Sequence, residues 1–267
     1  MRLRFLLCAL LLGLPAAAAR ADQPPPGPAA LEDAPLVSLE AGAQVGQRRL
    51  TWRDRVTPGL AGYQSGVMGL GVLSIEASPA RGKGLPIVSE VGLVGSVARS
   101  LRAHDAGPAG SPGLDSLWHA WEVGGRYRGT AGGVEYYSVS LRYGSSRWDF
   151  TGPPQPGTLL PGGFLQWWRP GLDLRLPLGP AALTLSGGYR FVAVRDAIGR
   201  AFPRAEVGGL DGALVLSVDL PQRLRLKLGG RYLRFFSTLH PLPGDKFVAG
   251  GALDEYAVLD LTLAWRV

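Results

Sequence analysis

The sequence predicts an all-β protein, an antiparallel up-and-down barrel of about ten strands, within a range of roughly eight to twelve. Three observations carry this. Apolar residues recur at every second position through most of the chain beyond residue 36, the period of a strand with one apolar and one polar face. Turn formers are dense, with 39 glycines and 22 prolines among 267 residues, about double the usual share. The stretches between alternating segments are long and short in turn.

Composition narrows the class further. Hydrophobic residues make up 46% of the chain and charged residues 18%, the reverse of a disordered composition. No Gly-X-Y period runs through the glycines, so collagen is excluded, and the Gly and Pro content disfavours a helical bundle.

Taken in order, residues 1–21 read as a secretory signal peptide. Arg2 and Arg4 open it, Phe5 to Leu14 form a short apolar core, and Ala19-Arg20-Ala21 places cleavage after Ala21. The core is too short for a membrane-spanning helix, which needs about 20 apolar residues. Cys8, the only cysteine, lies in this segment, so the exported chain has neither an intramolecular disulfide nor a Cys-ligated metal. Arg2, Arg4 and Arg20 account for three charges of the formal net charge of +7. The remaining basic residues are dispersed among acids and make no nucleic-acid stripe. Residues 22–35 hold five prolines and read as an extended periplasmic linker. No second linker follows, so 36–267 is one domain.

Ten alternating segments fill that domain, about 36–52, 66–78, 87–101, 115–129, 134–146, 165–178, 182–196, 209–220, 224–238 and 254–267. Leu172, Leu174, Leu176 and Leu178 against Asp173, Arg175 and Pro177 show the pattern, as do Leu259, Leu261, Leu263 and Trp265 against Asp260, Thr262 and Ala264. The polar face carries full charges: Glu40, Arg48, Glu90, Glu122, Arg126, Arg142, Asp173, Arg175, Arg190, Asp211, Asp219, Arg225, Lys227, Arg231 and Asp260. On the apolar face, Trp121, Tyr143, Trp168, Tyr189, Tyr232 and Phe236 gather toward the long connections. Tyr127, Tyr137 and Trp265 gather toward the short ones. Two aromatic belts at bilayer interfaces have this arrangement. A soluble lipocalin-type barrel, which buries the same apolar face, is the alternative at the level of the fold. The pairs Gly124-Gly125, Gly187-Gly188 and Gly229-Gly230, each beside Arg and Tyr, read as strand kinks that give neighbouring side chains room.

The long-short alternation, the charged inner face and the final strand together resemble small Gram-negative outer-membrane β-barrel proteins. In the last strand Leu259, Leu261, Leu263 and Trp265 match the apolar assembly signal of that class, while Val267 stands where a terminal Phe is usual. The resemblance implies a porin-like transmembrane barrel in the cell outer membrane, with both termini in the periplasm. It also implies two partners, outer-membrane lipid and the barrel assembly machinery, the latter met through the C-terminal strand.

Chemistry is sparse. The omptin proteases use paired aspartates and an Asp-x-His element, and neither occurs here. Outer-membrane lipid hydrolases use His-x-Ser, but His104, His119 and His240 are followed by Asp105-Ala106, Ala120-Trp121 and Pro241-Leu242. Asp105, Asp115, Asp245, Asp254 and Glu255 lie near these histidines without a metal-ligand spacing. No catalytic, cofactor-binding or metal-binding residue is assigned. The expected function is a non-enzymatic integral outer-membrane protein displaying long Pro/Gly-rich extracellular loops for surface structure or binding. A narrow pore for small solutes, and an outer-membrane hydrolase with an outer-rim site, are the alternatives. Lumenal charges either line such a pore or pair with one another and fill the interior, and the narrowness of the barrel favours filling.

Overall fold

The computed structural model describes residues 35–81, 87–105, 114–131, 134–151, 159 and 162–267. The signal peptide and all of the linker except Pro35 lie outside these residues. Ten strands follow one another in chain order: β1 (Val37–Arg53), β2 (Met68–Ala77), β3 (Val91–Ser100), β4 (Leu114–Ala131), β5 (Val134–Thr151), β6 (Gly163–Leu178), β7 (Ala181–Arg195), β8 (Glu206–Leu220), β9 (Leu224–Thr238) and β10 (Gly251–Arg266). Each pairs antiparallel with the next. β10 returns to β1, in register from Ser38 opposite Arg266 to Arg53 opposite Gly251. The sheet is therefore closed, and no edge is left unpaired. Short strands at Tyr63–Gln64 and Ala103–Asp105 extend β1 and β4 at the end where the long connections lie.

Alternation decides which residues face outward. In β10, Leu259, Leu261 and Trp265 are 59, 53 and 49% exposed, while Asp260, Thr262 and Arg266 are 9, 3 and 6% exposed. The same parity turns Leu172, Leu174, Leu176 and Leu178 outward on β6, and Leu210, Leu214 and Leu216 on β8. A soluble barrel of the lipocalin type requires the opposite facing, so that alternative is excluded by the outward leucines. Among the described residues no helix is long and apolar enough to cross a membrane; any crossing would be made by strands.

The turns are built from residues their geometry demands. Gln222 and Arg223, between β8 and β9, have φ of 64° and 63°, the two left-handed positions of a I′ hairpin turn. Gly179, with φ of 67°, precedes Pro180 between β6 and β7.

Several boundaries differ from the sequence reading. β5 runs on to Thr151, five residues past the expected end, because alternation continues above the apolar belt. β3 starts at Val91, since Val88–Glu90 form a 3₁₀ turn. Glu90 is accordingly not a barrel-wall residue; it accepts a bond from the Thr130 hydroxyl at 3.3 Å.

Candidate functional site

The barrel interior is layered. At the long-loop end the inward positions are apolar: Leu50, Met68, Trp148, Leu165, Trp167, Leu233, Phe235, Ala252 and Tyr256 form one buried cluster with Tyr63. Trp148 on β5 and Tyr256 on β10 come from opposite walls of the barrel, and their ring centroids are 6.1 Å apart. Trp167 on β6 meets Phe235 on β9 at 5.7 Å. These side chains meet across the full diameter of the barrel.

Arg48 lies inside this cluster. Its guanidinium carbon is 4.7 Å from the Trp148 ring centroid, 5.6 Å from that of Tyr256 and 5.8 Å from that of Tyr63. Nε and Nη2 each donate to Asp254 at 2.8 Å, and the Tyr256 hydroxyl donates to the same carboxylate at 3.1 Å. The fork thus satisfies both carboxylate oxygens while its faces rest on aromatic rings, a geometry available to Arg and not to Lys.

Below the aromatic layer the interior is ionic. Arg169 on β6 reaches across β7 to Asp211 on β8, with Nε 2.7 Å from Oδ2. Arg190 adds a bond to Asp211 at 3.0 Å and an ion pair to Glu122 at 3.0 Å. Arg126 bridges Glu76 at 3.1 Å and also binds Glu135. Nearer the short turns, Lys227 pairs with Glu40, which accepts the Thr262 hydroxyl at 2.6 Å, and Arg266 pairs with Asp219 at 3.0 Å. Such pairs add little net stability, because desolvation offsets attraction, but losing one partner strands a buried charge at a cost of about 3–5 kcal/mol.

Glycines make the close packing possible. A Cβ at Gly188 would lie 2.7 Å from Arg169 Cζ, and one at Gly229 would lie 2.7 Å from Asp260 Oδ2. Gly188 and Gly229 thus give room to lumenal charges, whereas Gly124 makes room for the backbone of β5 at Leu141 and Arg142. Outside the barrel, Gly208 does the same for the belt: its missing Cβ leaves space for Tyr189 and Phe236, whose rings approach to 6.2 Å. The outer belt continues through Trp121, Tyr143 and Trp168, with centroids 5.8 and 4.9 Å apart.

The long connections form a second cluster above the plug. Leu60 from the first, Phe202 and Ala205 from the fourth, and Leu239 and Ala249 from the fifth are buried together. Helix α1 (Asp196–Ala201) contributes Ile198 and Ala201 to its margin. Leu159 of the third connection bridges to Leu60. Arg204 donates to the His240 carbonyl at 2.9 Å and pairs with Asp245.

The residues weighed from sequence as possible ligands do not converge. His119 is on the outward face of β4, directly opposite Arg99 and Arg147. His240 is in the last long connection, 3.9 Å from Glu206. Asp254 is inside, held by Arg48; Glu255, its neighbour, faces outward and accepts from the Tyr232 hydroxyl. His104 sits opposite Asp115 in strand pairing. Among the described residues no three His, Cys, Asp or Glu side chains form a metal-binding group. Ser138 donates to Asp173 at 2.9 Å, but no imidazole joins them in the described lumen. The sequence reading passed over Glu76, Arg128, Glu135, Arg169 and Arg266 as lumenal charges, and it missed the aromatic plug.

No protein-family model matches the chain, and no curated protein matches it. Solved structures with a similar chain path include the outer membrane protease OmpT from Escherichia coli, at 8% identity and a TM-score of 0.44, covering 86% of this chain and 96% of that one. Neisserial surface protein A follows at 10% identity and a TM-score of 0.36, covering 86% and 97%. Ail, the attachment invasion locus protein of Yersinia pestis, has 11% identity and a TM-score of 0.31, covering 86% and 97%.

Proposed function

We propose that this protein is an integral outer-membrane β-barrel, sealed at its outer end, that serves as a rigid non-catalytic platform for surface loops. The observation that carries the reading is the pairing of an outward apolar wall with a lumen bridged from wall to wall by Trp148 and Tyr256. A closed sheet satisfies its own backbone groups, so it can sit in hydrocarbon. Outward leucines bounded by aromatic rings match the lipid-facing band of such a barrel. Export through a leader cut after Ala21 puts the termini and short turns in the periplasm and the long connections outside. N-terminal sequencing of the exported form should then start at Asp22.

The loop cluster supports a platform role. Three long connections bury Leu60, Phe202 and Leu239 against one another, which gives a defined surface on which ligand-contacting residues can be held. Among the described residues, nothing beside His119 or His240 favours the hydrolase reading: His119 faces outward on β4 between Arg99 and Arg147, and His240 stands beside Glu206.

Conductance in planar bilayers tests the reading. The refolded protein should be electrically silent, and the double variant Trp148→Ala, Tyr256→Ala should conduct. A steady conductance in the unsubstituted protein overturns the sealed reading and favours the narrow solute pore.

A further inference from the structure

One register row beside the aromatic belt brings three basic side chains together on the outer face. Arg99 on β3 is directly opposite His119 on β4, and His119 is directly opposite Arg147 on β5. The row lies two residues toward the loops from Val97, Trp121 and Ser145, on the same outer face. Arg99 is exposed, and so is Arg147. Side chains directly opposite on antiparallel strands have Cβ atoms about 4.5–5.5 Å apart, and like charges in that relation destabilise the pair. Two guanidinium groups flanking an imidazole are therefore an arrangement that invites an anion. Asp149, two residues loopward on β5 and opposite Leu117, pairs with Arg147 at 2.9 Å, but no acid stands directly opposite Arg99 or His119.

The level of the row specifies the anion. Trp121, Tyr143 and Trp168 mark the interface, where aromatic rings sit at headgroup depth. The basic row rises from beside this belt: His119 is two residues loopward of Trp121 on β4 and Arg147 four loopward of Tyr143 on β5, toward the phosphates of the outer leaflet if the long connections are outside. On β1, β10 and β9 a second outward row sets Glu255 between Arg49 and Arg234, so its basic groups have an acid in register.

We propose that Arg99, His119 and Arg147 form a binding site for the phosphate of an outer-leaflet lipid headgroup, with the acyl chains lying on the apolar wall of β3–β5 below. Both guanidiniums offer forked donors to phosphate oxygens, and the imidazole offers one N–H between them. The inference rests on the outer-membrane reading above.

The test uses the refolded full chain in zwitterionic vesicles, doped with bisphosphorylated lipid A or with its dephosphorylated form. Bound lipid is counted by native mass spectrometry after detergent extraction. The expected result is retention of the phosphorylated lipid over the dephosphorylated one by about tenfold or more. Arg99→Gln with Arg147→Gln should abolish that preference while keeping the heat-dependent gel shift of a folded barrel, and Arg49→Gln should keep both. Folding into vesicles without any phosphate preference overturns the site alone, as does equal loss in the Arg49→Gln control. Competition by millimolar inorganic phosphate as effective as that by lipid A overturns the lipid source. Failure to insert into any vesicle overturns the membrane reading beneath it.

Discussion

Gly187 and Gly188 are consecutive on β7 and face opposite sides of the wall, so adding one methyl at each separates the two environments. Arg169 lies over Gly188 on its way from β6 to Asp211 on β8, which is directly opposite Gly188. A Cβ at Gly188 would be 2.7 Å from Arg169 Cζ and Nε and 2.8 Å from Nη2, against about 3.4 Å for ordinary contact. The guanidinium must retreat by about 0.7 Å. Its Nε–Oδ2 bond to Asp211 is 2.7 Å, so a retreat of that size carries it to the limit of hydrogen bonding. Gly171 leaves the same kind of room on β6, where an added Cβ would lie 2.6 Å from Arg169 Nη1. Overpacking of this kind costs about 1–3 kcal/mol. At Gly187 the nearest atom to an added Cβ is the Asp211 carbonyl at 3.9 Å. Gly187→Ala should therefore be neutral, or stabilising by up to about 0.5–1 kcal/mol from reduced chain entropy. Urea unfolding in lipid vesicles, followed by tryptophan emission, gives both values on one scale. Equal stability of Gly187→Ala and Gly188→Ala would refute the account of lumenal charges seated on glycine.

Three further outcomes follow from other parts of the molecule. Leu261→Arg should lower the yield of vesicle-folded protein, in line with about 2–4 kcal/mol for a cation facing mid-bilayer, while Leu261→Phe should fold in full; equal yields would mean that this face does not meet lipid. Arg223→Gly should stabilise the barrel by about 0.5–1 kcal/mol, since Arg223 holds a φ of 63° that glycine adopts freely, and a loss in the urea midpoint would count against the I′ assignment. The Leu242 N–H and Arg204 hold the Asp245 carboxyl below the usual carboxylate range. The tie is thus complete above that range and lost as pH falls through the lowered pKa, so the Leu242 amide resonance should titrate with an inflection below that of an ordinary Asp. The inflection should vanish in Asp245→Asn.

The strands were legible because lipid and lumen impose a strict period of two, which Leu172 to Leu178 and Leu259 to Trp265 display without interruption. Facing was legible from the full charges on one parity, and every barrel-wall residue named on that basis points inward. The plug was not read, although its parity was present in the sequence. Trp148 shares the phase of Ser138, Ser140 and Arg142, and Tyr256 shares the phase of Asp260 and Thr262. Each is apolar where its neighbours in phase are polar, because the inner face changes character along the barrel axis, from ionic near the short turns to aromatic near the loops. Classifying a whole face by its average hides such an axial gradient. The loop cluster was illegible for a different reason. Leu60, Phe202 and Leu239 belong to connections far apart in sequence and share no period; only closure of the barrel brings them together.

The junction of β1 with β10 has a consequence for the order of events during biogenesis. Arg48 meets Asp254 across 206 residues of chain, and Glu40 meets Lys227 across 187 and Thr262 across 222. Until the tenth strand arrives, the first must keep Glu40 and Arg48 in contact with water or with a surrogate partner. A half-built sheet laid into lipid would expose both charges at an open edge. Partial insertion is therefore penalised twice, by unsatisfied backbone and by orphaned charge, and the barrel has every reason to enter the bilayer and close in a single step. A chain halted short of β10 would leave an open sheet edge beside both charges, with neither satisfied.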